Sequence, residues 1–262
     1  MKTFKWETTL IAFIKKYYVE IVIVLLFIMG LMVRYAARNV LSSDMRIYLL
    51  PWYDEIKSNG GLASLAHQVG DYNMPYQAVI ALMTYLPIKP IVGYKLFSVI
   101  FDLVGAIAAA LLVYEITHSK LRAKGCFIII WLSLGVMFNS AYWGQCDSIY
   151  TSFILFSIYA LMKRKYPWSF ILLGIAFSWK LQTIFVLPVY LLVYIKRKEF
   201  SLVNFLIIPM TMIINSFPAL LSGRKISEVF TIYFNQVGAF KGMTSNYPNI
   251  WAIIPGDKYY NT

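Results

Sequence analysis

Residues 95–117 read KLFSVIFDLVGAIAAALLVYEIT. As a helix this run is about 34 Å long, enough to cross a hydrocarbon core of about 30 Å. A second apolar run, VEIVIVLLFIMGLMV, occupies 19–33. The whole chain agrees with them: 60% of its residues are hydrophobic and 14% charged, where soluble domains carry about 25% charged residues. The expected fold class is an all-α polytopic membrane protein, with residues 1–262 as one transmembrane domain. A cleaved signal peptide is not expected, because residues 1–40 lack a small-residue cleavage site behind a short apolar core.

The formal charge of +12 would suit a nucleic-acid partner if it formed one stripe. Instead it falls in clusters at the ends of apolar runs: Lys2, Lys5, Lys15 and Lys16; Lys120, Arg122 and Lys124; Lys163, Arg164 and Lys165; Lys196, Arg197 and Lys198. If the spans alternate, all four clusters share one side, which the positive-inside rule makes cytoplasmic. The charge is a topology signal, so no nucleic-acid partner is expected and the lipid bilayer is. Cys126 and Cys146 lie at opposite ends of one expected span, roughly 30 Å apart, too far to pair.

Seven spans are expected: about 17–37, 95–117, 126–142 and 148–162, a short hairpin within 168–195 that turns near Lys180, and 201–221. Residues 38–94 then form an extracytoplasmic loop, and 222–262 an extracytoplasmic loop or tail. In the first loop Ser43 can cap a helix that begins at Asp44. Pro51 should kink or restart it, Gly60-Gly61 should end it, and a short helix near 62–69 should stop at Gly70. Asn73 can cap a helix with Pro75 in its first turn. The segment 76–87 is apolar but too short to span, and is expected to lie in the outer interface.

The outer ends of these spans gather the residue types that chemistry needs. Asp44, just beyond the first span, can act as a general base toward a hydroxyl or simply start a helix. Asp71, in DYNMPY, can bind a sugar hydroxyl or cap the next helix. Tyr72 and Trp52 offer flat apolar faces to a sugar ring. In WGQCD, Trp143 stands beside Gln145 and Asp147, an amide and a carboxylate where a helix leaves the membrane. Lys180 is a costly charge in an apolar stretch and needs an anionic partner, a phosphate or a carboxylate such as Asp147, unless it snorkels. Gln182 is expected to face the outer side with it. Asp102, inside the second span, reads as a structural interhelical hydrogen bond or ion pair.

Together these segments resemble the GT-C superfamily of membrane glycosyltransferases. The nearest likenesses are the glucosyltransferases of N-glycan assembly and the mannosyltransferases related to glycosylphosphatidylinositol anchor synthesis. Four motifs carry the resemblance, in the family's order: SDMRIYLLPWYDEI after the first span, DYNMPY, WGQCD, and the lysine-containing WKLQTIFVLPVYLL. The loop GRKISEVFTIYFNQVGAFKGMTSNYPNIW, with Asn246 before Trp251, is similar to the family's loop after the seventh span.

The resemblance implies a GT-C-like module of about seven transmembrane helices and a polyprenyl-phosphate-linked sugar donor. It also implies a glycan or lipid-linked acceptor, extracytoplasmic inverting hexosyl transfer and Asp44 as base. Asp71, Tyr72, Trp52, Arg46, Trp143, Gln145, Asp147, Lys180, Gln182 and Asn246 would be the substrate-binding residues. Arg46, Lys180 or Lys241 would stabilise the leaving phosphate. Some relatives hold a divalent metal on an acidic pair. Asp44 and Asp71 are the candidates here, and the metal ligands stay unassigned. Relatives continue through further spans, so a C-terminal set is expected beyond this chain or on another. The composition leans toward a bacterial plasma membrane. The rival functions are a lipid-linked sugar transporter or flippase, and a non-catalytic truncated homologue.

Overall fold

A computed structural model describes residues 4–236, and within them the chain is helical throughout, with no strand. α1 (Lys5–Ala36) starts well before the expected first span and ends with it, with non-helical backbone at Tyr17. α2 (Leu50–Ser58) and α3 (Met74–Met83) form the first loop. α4 (Pro90–Thr117) is the second long helix. α5 (Lys120–Trp131) and α6 (Leu134–Met137) follow, and α6 runs into a π-helical turn, Phe138–Trp143. Next come α7 (Asp147–Met162), α8 (Tyr166–Trp179) and α9 (Leu187–Arg197). α10 (Ile207–Asn215), α11 (Phe217–Leu221) and α12 (Glu228–Gln236) complete the described chain.

Among the described residues two helices are long and apolar enough to cross a membrane, and the α5–α6 pair makes a third if its 44° bend lies within one span. The segments Asp147–Met162, Tyr166–Trp179 and Leu202–Asn215 are apolar but shorter than 18 residues. The described residues are therefore those of an all-helical membrane protein, and two or three of their helices have the length that each of seven spans would need.

Side-chain pairs define the two ends of the bundle. At one end Lys124 pairs with Glu20 at 2.7 Å and Lys163 with Glu115 at 2.9 Å. There too the Tyr166 hydroxyl meets Glu199 at 2.5 Å. These contacts bring three of the basic clusters together. The last of them also closes α8 and α9 into the expected hairpin. Helix α8 ends at Trp179, Lys180 is extended at φ −155°, and a 3-10 turn, Leu181–Val186, leads back into α9. Tyr190 then returns to Ser169 at 2.7 Å.

Asp102 is held inside the bundle by Arg34 at 2.9 Å. It also accepts from Ser140 and Ser148, each at 2.5 Å. Arg34 donates to the carbonyl of Trp131 at 2.9 Å and lies 3.7 Å over that indole ring. Buried charges are expected to be paired and hydrogen-bonded, and this pair ties α1, α4, α5 and α7 together.

Two local expectations are corrected. The cap before the first-loop helix is Ser42, not Ser43: Ser42 Oγ accepts from the Met45 N–H at 3.2 Å and donates to the Trp143 carbonyl at 2.8 Å. Helix α3 does not lie open in an interface. Seven of its residues, among them Tyr76, Gln77 and Ile80, are buried against the rest of the protein.

Candidate functional site

The end of the bundle opposite the basic clusters holds a cavity of about 190 Å³, lined by Asp44, Tyr48, Leu49, Trp52, Asp71, Tyr72 and Gln145. Ligand pockets for drug-sized molecules run to about 300–1,000 Å³, so this one suits a single small group. Asp44 leads into a π-helical turn, Met45–Leu49. Pro51, which has no N–H to donate, sits in the first turn of α2 that follows. Residues 44, 48 and 52 fall at intervals of four, so one helical face presents Asp44, Tyr48 and Trp52 to the cavity.

The opposite wall comes from WGQCD. A π-helical turn ends at Gly144, whose φ of +79° strains any other residue and where a Cβ would crowd the Met45 sulfur at 3.1 Å. The reversal aims Gln145 at Asp44. Its Nε2 donates to Asp44 Oδ2 at 2.5 Å, and its Oε1 accepts from the Tyr72 hydroxyl at 3.1 Å. Burial, with Cys146, Asp147 and Asp44 adding to it, holds the Tyr72 phenol well above its ordinary range, so it remains a donor. Both π turns thus abut cavity residues, as insertions of this kind often do at functional sites.

Behind Tyr72 lies an ion pair. Lys180 Nζ contacts Asp147 Oδ1, and Asn139 Nδ2 donates to Asp147 Oδ2 at 2.8 Å. The ammonium sits 5.8 Å from the ring centres of both Tyr72 and Tyr150. Lys180 therefore has the carboxylate partner named from sequence, with the Tyr72 ring between it and the cavity.

The DYNMPY loop is positioned from two sides. Asn73 caps α3 as expected, accepting from the Met74 N–H at 2.8 Å. It also donates to Tyr233 at 3.0 Å. Gly70, at φ +72°, lies under the Trp52 ring, where a Cβ would come within 2.6 Å. Gln68 Nε2 donates to the carbonyls of Gly70 and Tyr72 at 2.7 and 2.8 Å, bracketing Asp71, while its Oε1 accepts from Arg224 at 2.8 Å.

A model of glycosyltransferase family 87 matches residues 72–253, more than half of the chain. The chain belongs to glycosyltransferase family 87. This is a membrane family of the GT-C type. No curated protein and no solved structure matches the chain. The match to family 87 includes Tyr72, Gln145, Asp147 and Lys180 and begins after Asp44, Trp52 and Asp71.

The expected site residues divide into three groups. Asp44, Trp52, Asp71, Tyr72 and Gln145 share the cavity wall, with Asp147 and Lys180 directly behind it. Trp143 contributes its carbonyl to Ser42, while its ring packs edge-on against Phe138 at 6.0 Å. Arg46 and Gln182 are exposed and are not among the residues lining the cavity. Asn246, with Lys241 and Trp251, lies outside the described residues. Sequence reasoning missed Tyr48, Asn139, Gln68 and Arg224. The four-residue spacing from Asp44 was a usable signal for Tyr48; Asn139 and Gln68 bond across irregular turns that periodicity does not read, and Arg224 meets Gln68 from 156 residues away. Among the described residues no cluster of three or more His, Cys, Asp or Glu side chains is placed to hold a metal. Asp44 and Asp71 are the carboxylates on the cavity wall.

Proposed function

We propose that this member of family 87 moves a hexose from a polyprenyl-phosphate sugar to a cell-surface glycan or lipid-linked acceptor. The observation that carries this reading is the Asp44–Gln145–Tyr72 chain of hydrogen bonds that joins the cavity's walls, together with the Lys180–Asp147 pair. The gathering of the basic clusters at the far end of the bundle supports an extracytoplasmic cavity and a cytoplasmic N-terminus. The arrangement proposed is the seven-span module of the GT-C type, with the shorter helices as its remaining passes.

In this mechanism Gln145 fixes Asp44 through Oδ2, leaving Oδ1 to take the proton of an acceptor hydroxyl. The acceptor oxygen attacks the anomeric carbon as the bond to the phosphate oxygen breaks. The polyprenyl phosphate leaves with the electron pair, and a single displacement inverts the anomeric centre. Trp52 and Tyr48 give the sugar ring apolar faces. Lys180, across the Tyr72 ring, and the exposed Arg46, two residues from Asp44 in the chain, supply positive potential for the leaving phosphate. Asp44 and Asp71 are oxygen ligands of the type a hard divalent cation takes. Such an ion would add charge stabilisation at the phosphate.

The deciding experiment is transfer by membranes carrying the full chain, with a panel of polyprenyl-phosphate sugars, with and without chelator. Transfer from at least one of them is expected, and its abolition in Asp44→Asn while the variant still inserts. Wild-type turnover in Asp44→Asn removes Asp44 from the base role. Transfer from nucleotide sugars alone overturns the donor class.

A further inference from the structure

A second cavity, of about 500 Å³, lies at the basic end of the bundle between α1, α4 and α5. Its walls are apolar, with Ile23, Ile107, Leu111 and Phe127 among them, and Lys120 and Lys124 line it as well. Those two lysines are four residues apart on α5 and so share a helix face.

The charges around this groove do not balance. The first turn of α5 contains no acid. Lys120 and Arg122 stand there instead, at the end where the helix dipole is already positive, with Lys124 one turn on. Of the carboxylates at this end, Glu20 of α1 pairs with Lys124, and Glu115 of α4 pairs with Lys163. Lys124 and Glu20 are both well exposed, and such pairs contribute little. Among the described residues no salt bridge engages Lys120 or Arg122. An apolar slot topped by Lys120, which no salt bridge engages, and by Lys124, held only in an exposed pair, complements a molecule with a hydrocarbon tail and an anionic head.

We propose that this groove binds an anionic phospholipid, with one acyl chain along Ile23, Leu111 and Phe127 and the phosphate at Lys120 and Lys124. The site is distinct from the transfer cavity, which lies at the other end of the bundle. The inference requires only that the chain is a membrane protein, so it stands or falls separately from the transfer reading.

The test is native mass spectrometry of the full chain in detergent, titrated with dioleoylphosphatidylglycerol or dioleoylphosphatidylcholine. Each lysine near an anionic headgroup supplies about a fivefold preference, so the wild type should retain phosphatidylglycerol about tenfold or more over phosphatidylcholine. Lys120→Gln/Lys124→Gln should lose that preference, and Lys57→Gln, an exposed lysine at the opposite end, should keep it. Ala110→Trp fills the slot and leaves every charge in place, so it too should lose retention. Equal retention of the two lipids by the wild type overturns the proposal. So does a preference that survives in Ala110→Trp, since surface charge alone would then explain it. If the double lysine variant does not fold, Ala110→Trp decides.

Discussion

Gln145 donates to Asp44 at 2.5 Å and accepts from Tyr72 at 3.1 Å, so one amide joins the chain beyond the first long helix to the DYNMPY loop. Its orientation is fixed, because a carboxylate only accepts and the half-buried phenol donates. Gln145→Glu removes the donor and sets a second carboxylate within reach of Asp44. Two such groups hold a proton between them more tightly than either holds one alone. Transfer should therefore fall about a hundredfold near neutral pH. The acid limb of the pH–rate profile should move to higher pH, because the active form now requires that shared proton to leave. Gln145→Leu should lose rate without moving the limb. An unshifted limb in Gln145→Glu would place the amide outside the reacting centre.

The Arg34–Asp102 pair makes a different prediction, about stability. Both side chains are buried, at 3% and 0% exposure. Removing one partner from such a pair leaves an uncompensated charge and typically costs about 3–5 kcal/mol, whereas replacing both with apolar residues can be close to neutral. Arg34→Met and Asp102→Leu should each lower the thermal midpoint of the detergent-solubilised protein sharply. The double variant should recover most of the loss. Ser140 and Ser148, which both donate to Asp102, flank Asn139 and Asp147, so the single variants should also lower transfer in the folded fraction. Additive losses in the double variant would show that the two residues act separately.

Much of this was legible before the structure. The apolar runs, the basic clusters, the Asn73 cap with Pro75 behind it and the turn at Lys180 all rest on local chemistry. The Asp102 ion pair was legible as a need, since a carboxylate in an apolar run requires a partner. Its identity was not, because Arg34 lies 68 residues away at the end of a different run. Ser42 and Ser43 are equally good caps by type, and the choice falls to Ser42 through its bond to Trp143, 101 residues on. Helix α3 is apolar on most of its surface. Such a pattern fits burial in protein as well as contact with an interface, and periodicity cannot separate them. The number of spans suffered similarly: α7, α8 and α10 have the composition of membrane helices without the length.

Cys146, between Gln145 and Asp147, reports on the integrity of the cavity wall. It is 2% exposed, and burial pushes its thiol up to about 11. Only the thiolate reacts with alkylating reagents, and near neutral pH very little is present. Cys146 should resist maleimide in the folded protein, label fully in denaturant, and lag well behind the partly exposed Cys126. Gly144→Ala, which forces a side chain into a left-handed turn against Met45, should open this wall and raise Cys146 labelling. Mass spectrometry of the two peptides gives both rates. Equal labelling of the two cysteines in the wild type would contradict the packing of this segment.

Arg224 reaches Asp71 through Gln68, and this relay separates loop positioning from chemistry. The guanidinium donates to Glu228 at 2.5 Å and to Gln68 at 2.8 Å. Gln68 then spends both of its N–H bonds on the carbonyls either side of Asp71. Arg224→Met leaves the half-buried Gln68 oxygen without its donor, a cost of about 1 kcal/mol. Glu228 is 37% exposed and can be solvated, so no larger penalty is expected. The loss should appear as faster hydrogen exchange across residues 68–73 and as a raised KM for the sugar donor, with kcat changed less. Gln68→Glu tests the other end of the relay: its carboxylate keeps the Arg224 contact but loses both loop bonds and repels the two carbonyls, so KM should rise with the Arg224 contact intact. If Gln68→Glu leaves KM unchanged, the bracket around Asp71 does not govern substrate binding.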